Sequence, residues 1–233
     1  VAVEVIKVLK GESFKNAVNL PPLRPEVKAA IEPYTNLVET LGKFIAQLVS
    51  GRINKLEVSY LGEISKYDTS FLSLLFLKGV LQASLGDEVN QVNAMMIAKE
   101  RGLKVTENKT QEADGYSSLI KVTVATEQGT YSVAGTVINK NNTRIIDIFD
   151  YHFDLEPTTN MLVIEHVDQP GIIGSVGTIL GEAGINIASM TVGRKQQGGK
   201  AVMVISVDSE VSADTLIKLE SLKMVSKAYA INL

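Results

Sequence analysis

The sequence predicts an α+β protein of two units, each with helices packed on a mainly antiparallel sheet. In the first unit, segments with apolar residues at helical spacing precede a series of short segments rich in Val, Ile and Thr with period-two alternation. In the second unit, residues 160–233, strand-like and helix-like segments follow one another in the order βαββαβ. The chain has 233 residues, 45% of them hydrophobic, which is enough to bury a core in each unit.

The first unit is predicted to extend over residues 20–153. Residues 35–50 have helical spacing and stop at Gly51, and further helices are expected at about 69–85 and 89–101. The strand-like segments are "INKLEVSYLG", "LKVTEN", "SLIKVTVAT", "TYSVAGTVI" and "TRIIDIFD", with "EQG" and "NKNN" as turn signals. This pattern is typical of helices covering one face of a sheet.

Residues 1–19 have the sequence pattern expected for the last part of a helix that begins further upstream. "VAVEVIKVLKGE" has the apolar stripe of a helix and a plausible stop at Gly11, but no capping residue precedes Val1. We expect the tail of a helix from an upstream domain, and a processed terminus is the alternative. The prolines that follow, at 21, 22 and 25, predict a stiff, extended hinge over residues 20–25.

The order βαββαβ restricts the topology of the second unit. Both βαβ segments must cross over right-handed, which places the two helices on one face of a four-stranded antiparallel sheet, the ferredoxin-like arrangement. The residues of the first helix expected to face that sheet are Ile172, Ile173, Val176, Ile179, Leu180 and Ala183. The other side carries Gly174, Gly177 and Gly181, each of which costs a helix about 0.5–1 kcal/mol relative to Ala. The glycines suggest close approach of a partner, or else tight packing of the helix on its own sheet.

A candidate binding site lies where the first strand of this unit meets its helix. Period two places His166 and Asp168 on the same side of the strand end, and Pro170 fits the first helical position. The N–H groups of the first helical residues, Gly171 and Ile172, can hold a carboxylate at the positive end of the helix dipole. Asp168 can hold an ammonium, and His166 and an Asn amide can add directional bonds. These groups meet the needs of a free amino acid.

Each of these residues also has a purely structural interpretation. Asp168 could be only the helix N-cap, Asn186 only a turn residue, and His166 only a surface residue of the strand. Their convergence at one helix end favours binding. Because Asn186 lies at the far end of the helix, about 20 Å away at 1.5 Å per residue, one chain is not expected to close all three around a small ligand. We expect a two-fold pair that sets the first strands and the glycine-bearing helices side by side.

Composition excludes several other functions. A net charge of −3 and a pI near 5.5, with mixed charges throughout, argue against binding to nucleic acid or to an anionic membrane. The absence of Cys and the presence of only two His argue against a metal site and fit a cytoplasmic setting. The longest apolar run, at 71–77, is shorter than the roughly 20 residues that span a bilayer.

The stretches "HVDQPG", "IIGSVGTILGEAG" and "INIASM" resemble an ACT domain, specifically the serine-binding one of bacterial 3-phosphoglycerate dehydrogenase. In that family serine is contacted by residues at the positions of His166 and Asp168 and, from the adjacent subunit, at the position of Asn186. The resemblance implies L-serine as an effector and a homo-oligomer, either a dimer through ACT domains or a tetramer. Residues 1–21 are similar to the last helix and hinge after the catalytic part, and residues 20–153 to the intervening allosteric-substrate-binding domain.

The resemblance further implies that the parent protein is an NAD-dependent oxidoreductase that acts on 3-phosphoglycerate in L-serine biosynthesis. Its catalytic Arg, Glu and His and its dinucleotide fingerprint belong to N-terminal domains. We therefore expect no catalytic residue and no bound NAD in these 233 residues; Gly171, Gly174 and Gly177 have GxxGxxG spacing, not GxGxxG. In some relatives the intervening domain binds an anion. Arg144 could contribute here, but Glu156 stands where some relatives have a basic residue; the alternative for Arg144 is a solvated charge at a strand edge.

Two alternative functions remain at this point. The β subunit of iron–sulfur L-serine dehydratase has the same two domain types, but its motif "GPSSSHTAG" is absent from this sequence. The other alternative is a stand-alone amino-acid-binding module. An in-frame GxGxxG domain upstream of Val1 would favour the dehydrogenase over the module.

Overall fold

The computed structural model describes residues 24–139 and 141–233. These residues form a six-stranded and a four-stranded sheet with helices, so the predicted α+β class is confirmed. The helix predicted within residues 1–19, and residues 20–23 of the predicted hinge, lie outside the described residues.

The first unit contains the six-stranded sheet. Its helices are α1 (Pro25–Ile31), α2 (Thr35–Leu48), α3 (Ser70–Leu85) and α4 (Ala94–Glu100). Its strands are β1 (Ile53–Gly62), β2 (Lys104–Thr110), β3 (Ser118–Thr126), β4 (Thr130–Ile138), β5 (Asn142–Ile148) and β6 (Tyr151–Leu155). The strand order is β2-β1-β3-β4-β5-β6, and every neighbouring pair is antiparallel except β1 and β2.

Three details of this unit differ from the sequence-based expectation. Pro25 begins α1 instead of extending the hinge, because a proline costs no hydrogen bond in the first turn of a helix. Helix α4 begins at Ala94 and not at residue 89, because the Asn90 side chain accepts hydrogen bonds from the N–H groups of Val92 and Asn93 and closes a turn. Strand β6 was not predicted from the sequence.

Helices α2 and α3 pack through two glycines that allow backbone contact. A Cβ added at Gly42 would lie 2.4 Å from the carbonyl oxygen of Phe76, and one added at Gly79 would lie 2.5 Å from that of Glu39. Any larger residue would therefore push the helices apart. This contact sets the spacing of the helical layer that covers the six-stranded sheet.

The second unit has the predicted βαββαβ order. It consists of β7 (Asn160–Val167), α5 (Ile172–Glu182), β8 (Ile187–Arg194), β9 (Lys200–Val207), α6 (Ala213–Glu220) and β10 (Val225–Asn232). The strand order β10-β7-β9-β8 is that of the ferredoxin-like arrangement. Strand β7 is interior, so the expectation that the first strands of two copies lie side by side is wrong; only β8 and β10 are edges of this sheet.

The central strands of the four-stranded sheet, β7 and β9, are buried on both faces. Leu162 and Ile164 belong to a core with α5 and α6, whereas the alternating residues Met161 and Val163 belong to the core shared with the first unit. Strand β9 divides in the same way between the two cores. The apolar runs "MLVI" and "AVMVISV" are continuous for this reason, as is typical of strands covered on both faces.

Polar and close-packed contacts also join the two units. The side chain of Gln47 on α2 donates to the carbonyl of Asn232 at 3.0 Å and accepts from its N–H at 2.9 Å. At the other end of the sheet, Phe153 of β6 packs against Gly193 of β8, where an added Cβ would lie 2.7 Å from the ring. The backbone of β8 beside Gly193 is thus held by the first unit.

Helix α5 differs from the prediction at its start and on one face. Its N-cap is Gly171, with φ +92°, and the helix begins at Ile172, so Pro170 belongs to the preceding turn and not to the first helical position. Ile172, Val176 and Leu180 are buried as expected, whereas Ile173 is 53% exposed. Ala183 is also exposed, because it follows the last helical residue. A Cβ added at Gly174, Gly177 or Gly181 would meet nothing within 4 Å among residues 24–139 and 141–233, so these glycines do not serve packing against that part of the chain.

Candidate functional site

A cavity of about 500 Å³ opens between the start of α5 and the end of β8. The β7–α5 loop forms one wall, and Val192 and Arg194 of β8 form the other. The remaining lining residues are His166, Asp168, Gln169, Pro170, Gly171, Ile172, Ile173 and Gln197. The cavity therefore gathers the residues that the sequence places around the first strand and helix, but not Asn186.

His166 lies in this cavity with one ring nitrogen unused. It is only 2% exposed, so the alternative of a surface strand residue is wrong. Its Nδ1 lies 3.0 Å from the carbonyl oxygen of Val167, which can only accept, so Nδ1 carries a proton. Its Nε2 is buried and has no hydrogen-bond partner among the described residues. In the neutral ring this Nε2 is an acceptor, and leaving it unpaired costs free energy.

Asp168 is paired within the chain. Its Oδ2 accepts from Arg194 Nη1 at 2.8 Å and from the N–H of Gly198 at 3.4 Å. The Arg194 hydrogen bond, with a smaller contribution from Gly198, lowers the pKa of this carboxyl group. Asp168 is not the N-cap of α5, because that position is Gly171. Both contacts use Oδ2, so Oδ1 is the oxygen that an ammonium group could reach.

The N-terminus of α5 faces the same cavity. No side chain among the described residues caps it, and the N–H groups of the first turn have no carbonyl partner within the helix. The N–H of Ile172 nevertheless has a partner outside the helix, because it donates to the carbonyl oxygen of Gln169 in the preceding turn at 3.3 Å. The expectation that Ile172 N–H is free is therefore wrong, and the next groups, at Ile173 and Gly174, are the better candidates for an anion.

Asn186 lies at the opposite end of the sheet. Its Nδ2 donates to Asp208 Oδ2 at 2.6 Å, and its carbonyl accepts from the N–H of Asp208 at 3.2 Å. Ala201 pairs with His166 in the sheet, and Asp208 follows seven residues later, just after the end of β9. At about 3.3 Å per residue, Asn186 lies roughly 23 Å from His166. The three residues do not meet within one chain.

Arg144, the candidate for an anion site in the first unit, faces two carboxylates. Its Nε lies 3.8 Å from Asp154 Oδ1, and its Nη2 lies 3.8 Å from Glu156 Oε2. Strand β5 is interior to its sheet and the side chain is 24% exposed, so the alternative of a solvated charge at a strand edge is wrong. The two acidic neighbours offset the charge of Arg144 and argue against an anion site there.

Arg194 is the residue of the site that sequence reasoning missed. It ends β8, opposite Ala201, which in turn pairs with His166. A reader of the sequence could find it only by pairing β8 with β9 and β9 with β7 in the correct register. The one local signal is its opposite charge to Asp168, which lies 26 residues away.

Residues 24–139 and 141–233 contain no group of three or more His, Cys, Asp or Glu arranged to hold a metal ion. None of the helices in this part of the chain is long and apolar enough to cross a membrane.

Comparison with known proteins assigns both units. Residues 30–149 match the model of the D-3-phosphoglycerate dehydrogenase intervening domain, and residues 160–223 match the ACT domain. A D-3-phosphoglycerate dehydrogenase of Methanocaldococcus jannaschii is 38% identical over 233 residues, which cover 100% of this chain and 44% of that protein. The enzymes of the same name from Synechocystis sp. and Bacillus subtilis are 37% and 36% identical, over 100% and 94% of this chain and 42% and 41% of their own lengths.

The fold and the two matches define a protein in which an intervening domain of the dehydrogenase type is followed by an ACT domain. The chain belongs to the D-3-phosphoglycerate dehydrogenase family. It spans less than half the length of the relatives given above.

Proposed function

We propose that this chain is the regulatory part of an NAD-dependent 3-phosphoglycerate dehydrogenase of L-serine biosynthesis, and that its ACT domain binds L-serine for feedback control. The observation that carries the proposal is the buried Nε2 of His166, which has no partner among the described residues. It belongs to a cavity that also contains a carboxylate and the start of α5, which no described side chain caps. An unpaired buried acceptor is stabilised when a ligand supplies the missing donor. The relatives named above support the dehydrogenase over the dehydratase alternative.

The groups around the cavity match those of a small amino acid. Asp168 Oδ1 is suited to the ammonium group, and His166 Nε2 to a hydroxyl or ammonium hydrogen. The N–H groups at the start of α5 suit the carboxylate. The same groups make a poor site for an uncharged or purely apolar ligand.

Asn186 then belongs to the site of a second copy. Strand β8 is an edge of the sheet, with Asn186 just before its start and Arg194 at its end. If two β8 strands pair antiparallel about a two-fold axis, the start of each strand lies beside the end of the other. Asn186 of one copy then approaches Asp168 and His166 of its partner. This arrangement replaces the pairing of first strands that the sequence suggested.

A mixing experiment tests shared sites. We expect calorimetry of the unmodified chain to show binding of L-serine in preference to D-serine. Asp168→Ala and Asn186→Ala should each weaken binding about 10- to 100-fold, the effect of losing a hydrogen bond to a charged group. A mixed dimer of the two variants has one site with both changes and one intact site, so purified mixed dimers should show half of the binding capacity, and a randomly paired equimolar mixture about a quarter.

Asp87→Ala, an exposed change in the first unit, is the matched control and should bind L-serine normally. If mixed dimers form but no binding returns, the site is not shared. If Asp168→Ala binds L-serine as well as the unmodified chain, Asp168 only anchors Arg194.

Regulation of the parent enzyme requires that serine bind one arrangement of the oligomer more tightly than another. Oxidation of 3-phosphoglycerate with NAD would take place in domains other than the two described here, in a cytoplasmic enzyme. The contact of Phe153 with Gly193 supports a route for coupling, because it joins β8, which borders the cavity, to the intervening domain.

A further inference from the structure

The ion pair with Asp168 uses only part of the Arg194 guanidinium group and does not explain why this side chain lines the cavity. Its side chain is 56% exposed and lines the cavity, although it ends a strand whose backbone is packed against the first unit. A guanidinium has five N–H donors in a planar fork, and the contact with Asp168 uses Nη1. Within the part of the chain that the structure describes, the Nε and Nη2 groups have no partner and can bind a second one.

The neighbours of Arg194 hold it in place for such a partner. Asp168 fixes one side of the guanidinium at 2.8 Å. Gly193 fixes the preceding backbone, because Phe153 fills the space where a side chain would be. A guanidinium held on one side loses less conformational freedom when it binds on the other.

Of the described residues that line the cavity, Arg194 is the only Lys or Arg and Asp168 the only carboxylate. A ligand with both an ammonium and a carboxylate would therefore find one oppositely charged partner for each. His166, another lining residue, has a buried Nε2 without a partner among the described residues, which independently indicates that a ligand completes the site.

We propose that Arg194 recognises the carboxylate of the effector through Nε and Nη2, together with the N–H groups at the start of α5, while Asp168 positions Arg194 and also receives the ammonium. This inference rests on the proposed function, that an amino acid binds here, and adds that the site selects zwitterionic α-amino acids over amines of the same shape. Arginine suits this role because its planar fork pairs with both carboxylate oxygens. Serine would thus be held at both ends, and its side chain alone would not suffice.

The test pairs one residue change with one ligand change. L-serinamide keeps the ammonium and hydroxyl of L-serine but lacks the carboxylate. Calorimetry of the unmodified chain should show L-serine binding about 10- to 100-fold more tightly than L-serinamide, as expected for a charge-assisted pair. Arg194→Gln should weaken L-serine by a similar factor and leave L-serinamide nearly unchanged. Arg194→Lys keeps the charge but not the planar fork, so its affinity for L-serine should lie between those of the unmodified chain and Arg194→Gln.

Arg101→Gln is the matched control, an exposed arginine outside this cavity, and should change neither affinity. If Arg194→Gln weakens both ligands equally, Arg194 only shapes the site, and the proposal is overturned. It is also overturned if L-serine binding is unaffected. If the unmodified chain does not bind L-serine, the proposal that serine is the effector is wrong. A panel of other L-amino acids and their amides then tests whether Arg194 recognises a carboxylate. If none of them binds, both proposals are wrong.

Discussion

Because the glycine face of α5 is open, replacing its glycines with alanine should stabilise the monomer and weaken the dimer. In the double variant Gly174→Ala/Gly177→Ala, the added Cβ atoms meet nothing within 4 Å of the same chain. Alanine is more favourable than glycine inside a helix by about 0.8–1.0 kcal/mol per residue. Two such changes should raise the free energy of unfolding of the monomer by about 2 kcal/mol.

The effect on the dimer has the opposite sign if this face packs against a second copy. Four extra methyl groups would then enter the interface, two from each chain. Extra methyl groups in a well-packed region typically cost about 1–3 kcal/mol, so the dimer should dissociate roughly 5- to 100-fold more readily. L-serine binding should weaken as the dimer dissociates, because the proposed site needs Asn186 of the second copy.

The assay combines urea unfolding at a protein concentration where monomers dominate with sedimentation equilibrium at higher concentrations. Gly79→Ala is the control: its Cβ would lie 2.5 Å from the Glu39 carbonyl, so it should destabilise the fold without a specific effect on dimer dissociation. A variant that is more stable as a monomer and still dimerises as before would refute the assignment of this face to the interface. Lower monomer stability would show that the face is occupied within the chain.

Two further predictions concern the boundary of function and the dependence of stability on pH. Because the dinucleotide fingerprint is absent from the sequence, NADH fluorescence should show no saturable binding to this chain, and a saturable signal would contradict the assignment of NAD to other domains. The pKa of Glu220 is lowered, chiefly by the hydrogen bond from Ala228 N–H, with Lys227 contributing. A carboxyl group whose pKa is lowered by folding stabilises the fold at pH values above its unfolded-state pKa, and this stabilisation is lost as the pH falls through its folded-state pKa. Glu220→Gln should therefore destabilise the chain at pH 7 but not in strong acid. Equal destabilisation at both pH values, measured by urea unfolding, would mean that the charge of Glu220 is not the cause.

Most helices and strands, and from their order the topology of the second unit, could be predicted from the amino-acid sequence. These features depend on local periodicity and on the handedness of βαβ crossovers, and both can be deduced from neighbouring residues. The approach of His166 and Asp168 to one helix start was predicted for the same reason, because only a few residues separate them. The missed elements, α1 and β6, are short, and so little periodic pattern was available.

The distant residues that complete the site could be identified only from the folded structure. Arg194 meets Asp168 because β8, β9 and β7 pair in one register, and a shift of one residue would turn its side chain to the other face. The continuous apolar runs of β7 and β9 indicated strands, but only packing showed that the first unit covers the sheet face opposite α5 and α6. The physical reason is common to both cases: local pattern shows which residues avoid water, whereas the partner they find across the chain depends on how whole sheets and helices fit together.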